Sequence, residues 1–320
     1  MSETTLRVRV ARRQDEAQDI ASFELVAADG GALPAFTAGA HIDVHLPGGL
    51  VRPYSLCNDP RETQRYRIAV LRDAGSRGGS AAMHAQVREG DVLTIGAPRN
   101  HFALVPGARH TLLLAAGIGI TPLLAMAERL SAADEPFELV YCTRSPERTA
   151  FAGHLAQARF AGRVRHVHGE TPAQSGLDLE ALLADPLPGQ HLYICGPQGF
   201  IQAALMAASH WPEGQVHREF FGAATPAPRS GDDAFEVELA SCGRRVPVAA
   251  GQTMLEALRG AGVELQTSCE QGVCGTCLTR VLAGAPDHRD LYLTPEEQAG
   301  GDQVLPCCSR SRSAVLVLEL

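Results

Sequence analysis

Hydrophobic and polar positions alternate along the first hundred residues of this chain. Leu6, Val8 and Val10 interleave with Arg7 and Arg9, and Ile42, Val44 and Leu46 interleave with His41, Asp43 and His45. A period of two is the mark of a half-buried strand. With Gly, Pro and Asp as punctuation, it predicts several short antiparallel strands that close into a small barrel. The histidines sit on the polar faces without a metal-ligand spacing, so they are expected to face solvent.

From about Arg109 the pattern changes. Apolar runs of strand length at 110–115, 137–142, 164–168 and 191–195 alternate with helical segments near 123–130, 150–159, 179–184 and 200–209. This alternation predicts a parallel sheet with helices on its faces and ligands at the carboxyl ends of its strands. Pro, Gly and Ser then cluster in AATPAPRSGDD, which reads as a linker. Beyond it, Phe235, Val237 and Leu239 alternate as a strand, 253–259 reads as a helix, and Val315, Val317 and Leu318 suit a closing strand. The expected chain is therefore multidomain: an antiparallel barrel over 1–104, an α/β parallel-sheet domain over 105–224, a linker over 225–233, and a small α+β domain over 234–320.

Composition narrows the function. A net charge of −8 argues against nucleic-acid binding. From Asp233 onward there are 12 acidic residues against 7 arginines, a bias that could steer a basic partner or be ordinary surface. All 28 basic residues are arginine, which excludes a P-loop lysine and Schiff-base chemistry. No apolar signal segment and no membrane-length span is read, so a cytoplasmic protein with no membrane partner is expected.

The strongest motif is SCEQGVCGTC. Cys269, Cys274 and Cys277 are spaced C-x4-C-x2-C, and Cys307 follows after 29 intervening residues. That is the plant-type [2Fe–2S] spacing: three thiolates from one tight loop, the fourth from a distant segment. Gly272 and Gly275 suit a loop whose backbone must turn sharply and aim N–H groups at sulfur. A structural zinc would more commonly use two close cysteine pairs. Nine cysteines, an odd number, disfavour a disulfide framework. Of the adjacent Cys307 and Cys308, Cys307 is taken as the ligand. Cys57, Cys142 and Cys242 read as buried or half-buried thiols.

Two weaker motifs support each other. Arg52-Pro53-Tyr54-Ser55 is followed by Gly78-Gly79-Ser80 at a helix start. A forked guanidinium and the N-terminus of a helix converge on a phosphate, Tyr54 can pack on a flavin ring, and Ser55 can reach its N5 edge. Pro53 within a strand predicts an edge strand. In the second domain, Gly117-Ile118-Gly119-Ile120-Thr121-Pro122 carries a strand into a helix, with Thr121 read as N-cap and Pro122 at the first helical position. Cys195-Gly196-Pro197 ends another strand, where small residues admit a flat ring.

Across all three domains the chain resembles the phthalate dioxygenase reductase family, which includes the vanillate demethylase reductases. The resemblance rests on RPYSLCND (52–59), RGGS (77–80), AAGIGITP (115–122), CTRSPERTAF (142–151), YICGP (193–197), REFFGA (218–223), the cysteine loop and LPCCSR. It implies FMN held by Arg52, Pro53, Tyr54, Ser55, Ala69, Val70, Gly78, Gly79 and Ser80, with Thr121 and Phe221 near the ring. It implies NADH across Gly117, Gly119, Thr121 and Cys195, Gly196 and Pro197, with Thr143 and Arg144 near the adenine ribose. Arg144 could also meet a 2′-phosphate. The ferredoxin domain implied is of β-grasp type.

The expected function is an NADH-dependent reductase that passes electrons through FMN and a [2Fe–2S] cluster to a separate Rieske non-haem iron oxygenase of aromatic degradation. No side chain need act as a general acid or base, because the cofactors carry the chemistry. Two alternatives stand: a reductase for another acceptor such as a cytochrome P450, and a metal- or nucleotide-binding module without electron transfer.

Overall fold

A computed structural model describes residues 4–73, 75, 78–169, 177–222 and 232–320. Arg77 of the RGGS motif and most of the expected linker lie outside the described residues. The chain forms two compact units, Met1–Glu219 and Phe220–Leu320, each taken by itself below.

The first unit opens with six antiparallel strands: β1 (Thr5–Ala17), β2 (Ile20–Ala27), β3 (His41–Leu46), β4 (Leu50–Ser55), β5 (Tyr66–Leu71) and β6 (Val92–Gly96), in the order β4-β3-β6-β1-β2-β5. An antiparallel bridge between Leu56 and Ile68 joins the two ends, so the sheet curls into a barrel. Its core is the alternating apolar set read from the sequence; Val8, Val10, Ile42 and Val44 are fully buried. Pro53 sits on β4, a strand with a named neighbour on one side only, where its missing N–H interrupts no central ladder. Helix α1 (Gly79–Gln86) connects β5 to β6.

The opposite face of β3 is a correction. His41 and Asp43 are 5% and 2% exposed, and His45 is half-buried, rather than facing solvent. The segment carrying Arg99 covers this face: His41 and Arg99 exchange backbone hydrogen bonds, and the Arg99 guanidinium pairs with Asp43. Period-two alternation reports which residues share a face, and a polar face can still be covered when an arginine pairs with its carboxylate.

Five parallel strands follow: β7 (His110–Ala116), β8 (Phe137–Thr143), β9 (Val164–His168), β10 (Gln190–Cys195) and β11 (Val216–Glu219), in the order β11-β10-β7-β8-β9. Helices α2 (Ile120–Ala132), α3 (Ala152–Gln157), α4 (Leu179–Leu183) and α5 (Gln198–Ala207) lie between them. Leu112, Leu113 and Leu114 are all buried, the continuous apolar run of a strand covered on both faces. The chain winds one way through β8 and β9, then returns to β10 on the other side of β7. That reversal leaves a crevice at the carboxyl ends of β7 and β10.

In the second unit β12 (Phe235–Leu239), β13 (Arg245–Val248), β14 (Thr279–Ala283), β16 (Gln303–Val304) and β18 (Val315–Leu318) form a mixed sheet, with β12 and β18 parallel. Strands β15 (Pro286–Asp287) and β17 (Arg310–Ser311) form a separate short ladder. Helices α6 (Met254–Gly260) and α7 (Pro295–Gly300) both start with capping boxes, on Thr253 with Glu256 and Thr294 with Glu297. Among the described residues, no helix is long and apolar enough to cross a membrane.

Candidate cofactor sites

In the second unit the cysteine loop runs between α6 and β14. Gly272 and Gly275 have φ of 71° and 73°, and a Cβ on either would collide: at Gly272 with the Cys308 sulfur at 2.4 Å, at Gly275 with the Tyr292 ring at 2.4 Å. Both positions are thus glycine for conformation and for space. The loop gathers its sulfurs as two pairs. Cys269 and Cys274 are in hydrogen-bond contact, and so are Cys277 and Cys307. Sharing protons in this way pushes the Cys269 and Cys277 thiols up, and holds Cys274 down at about 5. Gln271 N–H donates to the Cys269 sulfur at 3.3 Å, and the Cys274 thiol reaches Thr276 Oγ1 at 3.2 Å.

Among the described residues no three His, Cys, Asp or Glu side chains converge as a site for a single ion. Two sulfur pairs in a cradle stripped of Cβ atoms fit a binuclear cluster, in which each iron takes two thiolates. The Cys308 sulfur lies against Gly272 and is in hydrogen-bond contact with Cys307; its further contacts are Leu305 O and Ser309 Oγ, both at 3.8 Å. Of the remaining thiols Cys57 is buried and Cys142 half-buried, but Cys242 is exposed in the β12–β13 turn, against expectation.

In the first unit Arg52 and the glycine turn meet. A Cβ on Gly79 would lie 2.6 Å from Arg52 Cγ, so the arginine stem runs along the start of α1. Gly78 precedes the helix with φ 87°. The Ser80 hydroxyl accepts from Asp73 N at 3.2 Å, and Arg52 Nη1 donates to Val51 O at 2.7 Å. A guanidinium at a helix N-terminus fits the phosphate of a flavin nucleotide. Tyr54 is half-buried, and burial pushes its hydroxyl up despite Arg52. Ala69 and Val70 are buried in β5. Phe221 belongs to the other unit and is 38% exposed.

Ser55 is buried, and its hydroxyl donates to Glu219 Oε2 at 3.5 Å. Glu219 closes β11 in register with Cys195. Burial pushes its carboxyl up to about 8, against the opposing Ser55 hydrogen bond. Burial, reinforced by Glu219, also pushes the Cys195 thiol well above its ordinary value, so it is a packing group rather than a nucleophile. Sequence reasoning missed Glu219. The signal was available: an acidic residue ending a parallel strand, in the REFFGA motif.

The crevice glycines divide their work. A Cβ on Gly119 would lie 2.2 Å from Cys195 O, and one on Gly196 2.8 Å from Ala116 Cβ. These two are small so that the loops after β7 and β10 can interlock. Gly117, with φ 55° and open space where a Cβ would be, leaves its backbone uncovered on that side. Thr121 is not the N-cap. Gly117–Gly119 forms a 3-10 turn, α2 begins at Ile120, and the buried Thr121 hydroxyl donates to Ile118 O at 3.0 Å. Pro122 still falls in the first turn, where its missing N–H leaves no bond unmade. At the end of β8 the Thr143 hydroxyl lies 2.8 Å from Thr149 Oγ1 and 2.9 Å from His168 Nδ1. It braces the loop that exposes Arg144. Pro197 is exposed at the start of α5.

Comparisons with known proteins cover the whole chain. The 2Fe-2S iron-sulfur cluster binding domain matches residues 237–312, and the oxidoreductase NAD-binding domain matches 113–205. Vanillate O-demethylase oxidoreductase of Pseudomonas putida is 52% identical over 97% of this chain and 98% of its own. The solved structure of phthalate dioxygenase reductase, described as modular for electron transfer from pyridine nucleotides to [2Fe-2S], is 42% identical with a TM-score of 0.77. That match covers 99% of this chain and 98% of the other. An intact type IV self-sufficient cytochrome P450 monooxygenase is 40% identical with a TM-score of 0.87, over 99% of this chain and 41% of that one.

Proposed function

The chain belongs to the phthalate dioxygenase reductase family, and from that premise we propose that it is the reductase component of a two-component oxygenase whose terminal partner is a Rieske non-haem iron protein. It is an oxidoreductase with that family's cofactors, FMN, NADH and a [2Fe–2S] cluster. The aromatic-acid names among its relatives favour a partner that acts on an aromatic acid. Its reducing thiol chemistry suits the cytoplasm.

The observation that carries the reading is the pairing of Cys269 with Cys274 and of Cys277 with Cys307, in a chain that also holds a nucleotide crevice. When bound, the cofactors supply hydride acceptance from the nicotinamide and release of electrons one at a time. The protein supplies position. Gly117 offers backbone to the dinucleotide, and Gly119 and Gly196 keep the crevice narrow. Thr143 holds the loop from which Arg144 reaches the adenosine end. Arg52 and the 78–80 turn take the flavin phosphate, and Pro53 and Tyr54 with Ala69 and Val70 line the wall beside it. Ser55 and Glu219 hold a proton between Oγ and Oε2 at the crevice.

Anaerobic titration with NADH tests the electron path. Flavin and iron–sulfur absorbance should both bleach, with two irons and acid-labile sulfide per chain. One zinc in place of two irons, or bleaching of the flavin alone, would take the cysteine loop out of the electron path and make it a metal-binding element. A second reading, a cytochrome P450 as acceptor, draws on the likeness to the P450 monooxygenase. Turnover with a purified Rieske oxygenase and not with a P450 decides between them.

A further inference from the structure

Phe151 ends the loop that leaves β8 and begins α3. It is buried, with φ 59° and ψ 18°, in the left-handed region that an L-residue enters only at a cost in energy. Something must hold it there. The Arg67 guanidinium of β5 lies over its ring, with Cζ 4.6 Å from the centroid. The Arg67 side chain is 13% exposed, and its Nη2 pairs with Glu16 Oε1 at 2.6 Å. Ser22 Oγ donates to the same oxygen at 2.6 Å, which fixes the carboxylate. Arg67 Nε is buried without a hydrogen-bond partner among the described residues. An arginine that leaves an N–H unmade while lying on a ring is placed by that ring as well as by its carboxylate.

The same loop, residues 143–151, is tied at other points. At its root the Thr143 hydroxyl meets Thr149 and His168. Gln18 N, in the β1–β2 turn, donates to Glu147 O at 2.9 Å, and Arg148 Nη1 approaches Asp19 Oδ2 to 4.0 Å. Exposed Arg144 lies between these ties. An ion pair at the surface adds little, whereas a cation over a ring is worth more once both are out of water. The Arg67 stack is therefore the contact that lets the barrel set the loop. Its backbone meets the expected flavin wall: Arg67 O accepts from Cys57 N at 2.8 Å and from Cys57 Sγ at 3.2 Å, two residues beyond Ser55.

We propose that Arg67 is a positioning residue for the dinucleotide: by stacking on Phe151 it holds the 143–151 loop in the conformation that receives the adenosine end. This rests on the nucleotide reading proposed above. The Arg67 side chain meets Glu16 and Phe151, neither of them assigned to a cofactor. Its loss should therefore weaken one half of the dinucleotide and spare the other.

The test uses the full-length holoprotein and ADP-ribose, which has the adenosine half of the dinucleotide without its nicotinamide. In Phe151→Leu the calorimetric affinity should fall about fivefold, because the unheld loop spends most of its time outside the binding conformation. That loss exceeds the effect of one exposed guanidinium such as Arg144, since the loop backbone moves too. Arg67→Met, made together with Glu16→Gln so that no buried charge is left unpaired, should lose as much. All three substitutions together should lose no more, because each already breaks the same contact. KM for NADH should rise while kcat holds. For reduced nicotinamide mononucleotide, which has no adenosine, kcat/KM should keep its wild-type value. Wild-type affinity for ADP-ribose in either variant overturns the proposal, and so do losses that multiply when the substitutions are combined. An equal loss of kcat/KM for the mononucleotide also overturns it, because these residues would then support the whole site. If the wild-type protein binds no ADP-ribose, the nucleotide reading is what fails. The clamp is then judged by amide exchange at Arg148 and Thr149, which must be faster in Phe151→Leu than in the wild type.

Discussion

Gly119→Ala isolates the geometry of the nucleotide crevice, because Gly119 has φ −61° and ψ −5°, a conformation open to any residue. Only space forbids the methyl. Its Cβ would lie 2.2 Å from Cys195 O, 2.4 Å from Cys195 C and 2.6 Å from Gly196 N, all of them backbone. Restoring ordinary contact at 3.4 Å means parting the loops after β7 and β10 by about 1.2 Å. Overpacking of this kind costs about 1–3 kcal/mol, and the upper end applies where no flexible side chain can yield. At about 2–4 °C per kcal/mol for a unit of this size, the first thermal transition should fall by about 6–12 °C.

Gly117→Ala is the matched control. It meets nothing within 4 Å, but its φ of 55° charges an L-residue about 1–2 kcal/mol. Its melting shift should be smaller. Its added methyl stands where the nucleotide is proposed to lie, so the stabilising shift given by NADH should shrink. Differential scanning calorimetry of both variants with and without NADH, together with KM for NADH, reads the contrast. A Gly119→Ala protein that melts no lower than Gly117→Ala would falsify the interlocked-loop argument.

Three further outcomes follow from the sites. Cys277→Ser should leave flavin reduction by NADH intact and abolish reduction of a one-electron protein acceptor; Cys308→Ala should keep iron, sulfide and acceptor reduction where Cys307→Ala loses them, and the reverse result for that adjacent pair would exchange the ligand assignment. Glu219, held at about 8 by burial, has a folded-state value above its ordinary 4.5. Its stabilising contribution is therefore complete below pH 4.5 and lost as pH rises through 8. Melting of the flavin- and NADH-free protein should weaken across that window, and Glu219→Gln should flatten the profile; equal profiles would show that the carboxyl is not neutral when buried. Arg144→Ala should leave KM for NADH within about threefold while raising KM for NADPH, since an exposed guanidinium adds attraction mainly to a 2′-phosphate; equal effects on both would remove Arg144 from any role in nucleotide choice.

The architecture was legible because burial writes a period into the chain. Val8 and Val10, or Leu112 through Leu114, carry the strand and its environment in their spacing. The cysteine loop was legible because a metal cluster restricts spacing, and Pro53 because a ring without an N–H belongs at an edge. What escaped depended on contacts between segments far apart in sequence. Thr121 has the composition of an N-cap, yet a 3-10 turn over Gly117–Gly119 moves the helix start and puts its hydroxyl inside. His41 and Asp43 look solvent-facing until Arg99, some 56 residues beyond Asp43, covers them. Glu219 acquires its role only when β11 pairs with β10 and brings it beside Ser55 and Cys195.

The missing lysine, which as composition excludes two chemistries, also has a structural consequence. Among the described residues, buried and half-buried guanidinium groups tie distant segments together. Arg67 holds Glu16 at 2.6 Å and stacks over Phe151 at 4.6 Å, with its Nε left without a partner. Arg289 holds two aspartates, and Arg310 reaches three carbonyls while covering Phe235. A planar fork of five donors can do this, whereas an ammonium presents three donors at one point and is more strongly hydrated. The same property explains why these charges can be buried at all: the guanidinium loses less hydration and leaves fewer acceptors unpaired. In a protein whose redox chemistry belongs to its cofactors, such fixed charges have no reaction to perform. They hold loops, and where the loops carry cysteines or glycines, they hold the sites.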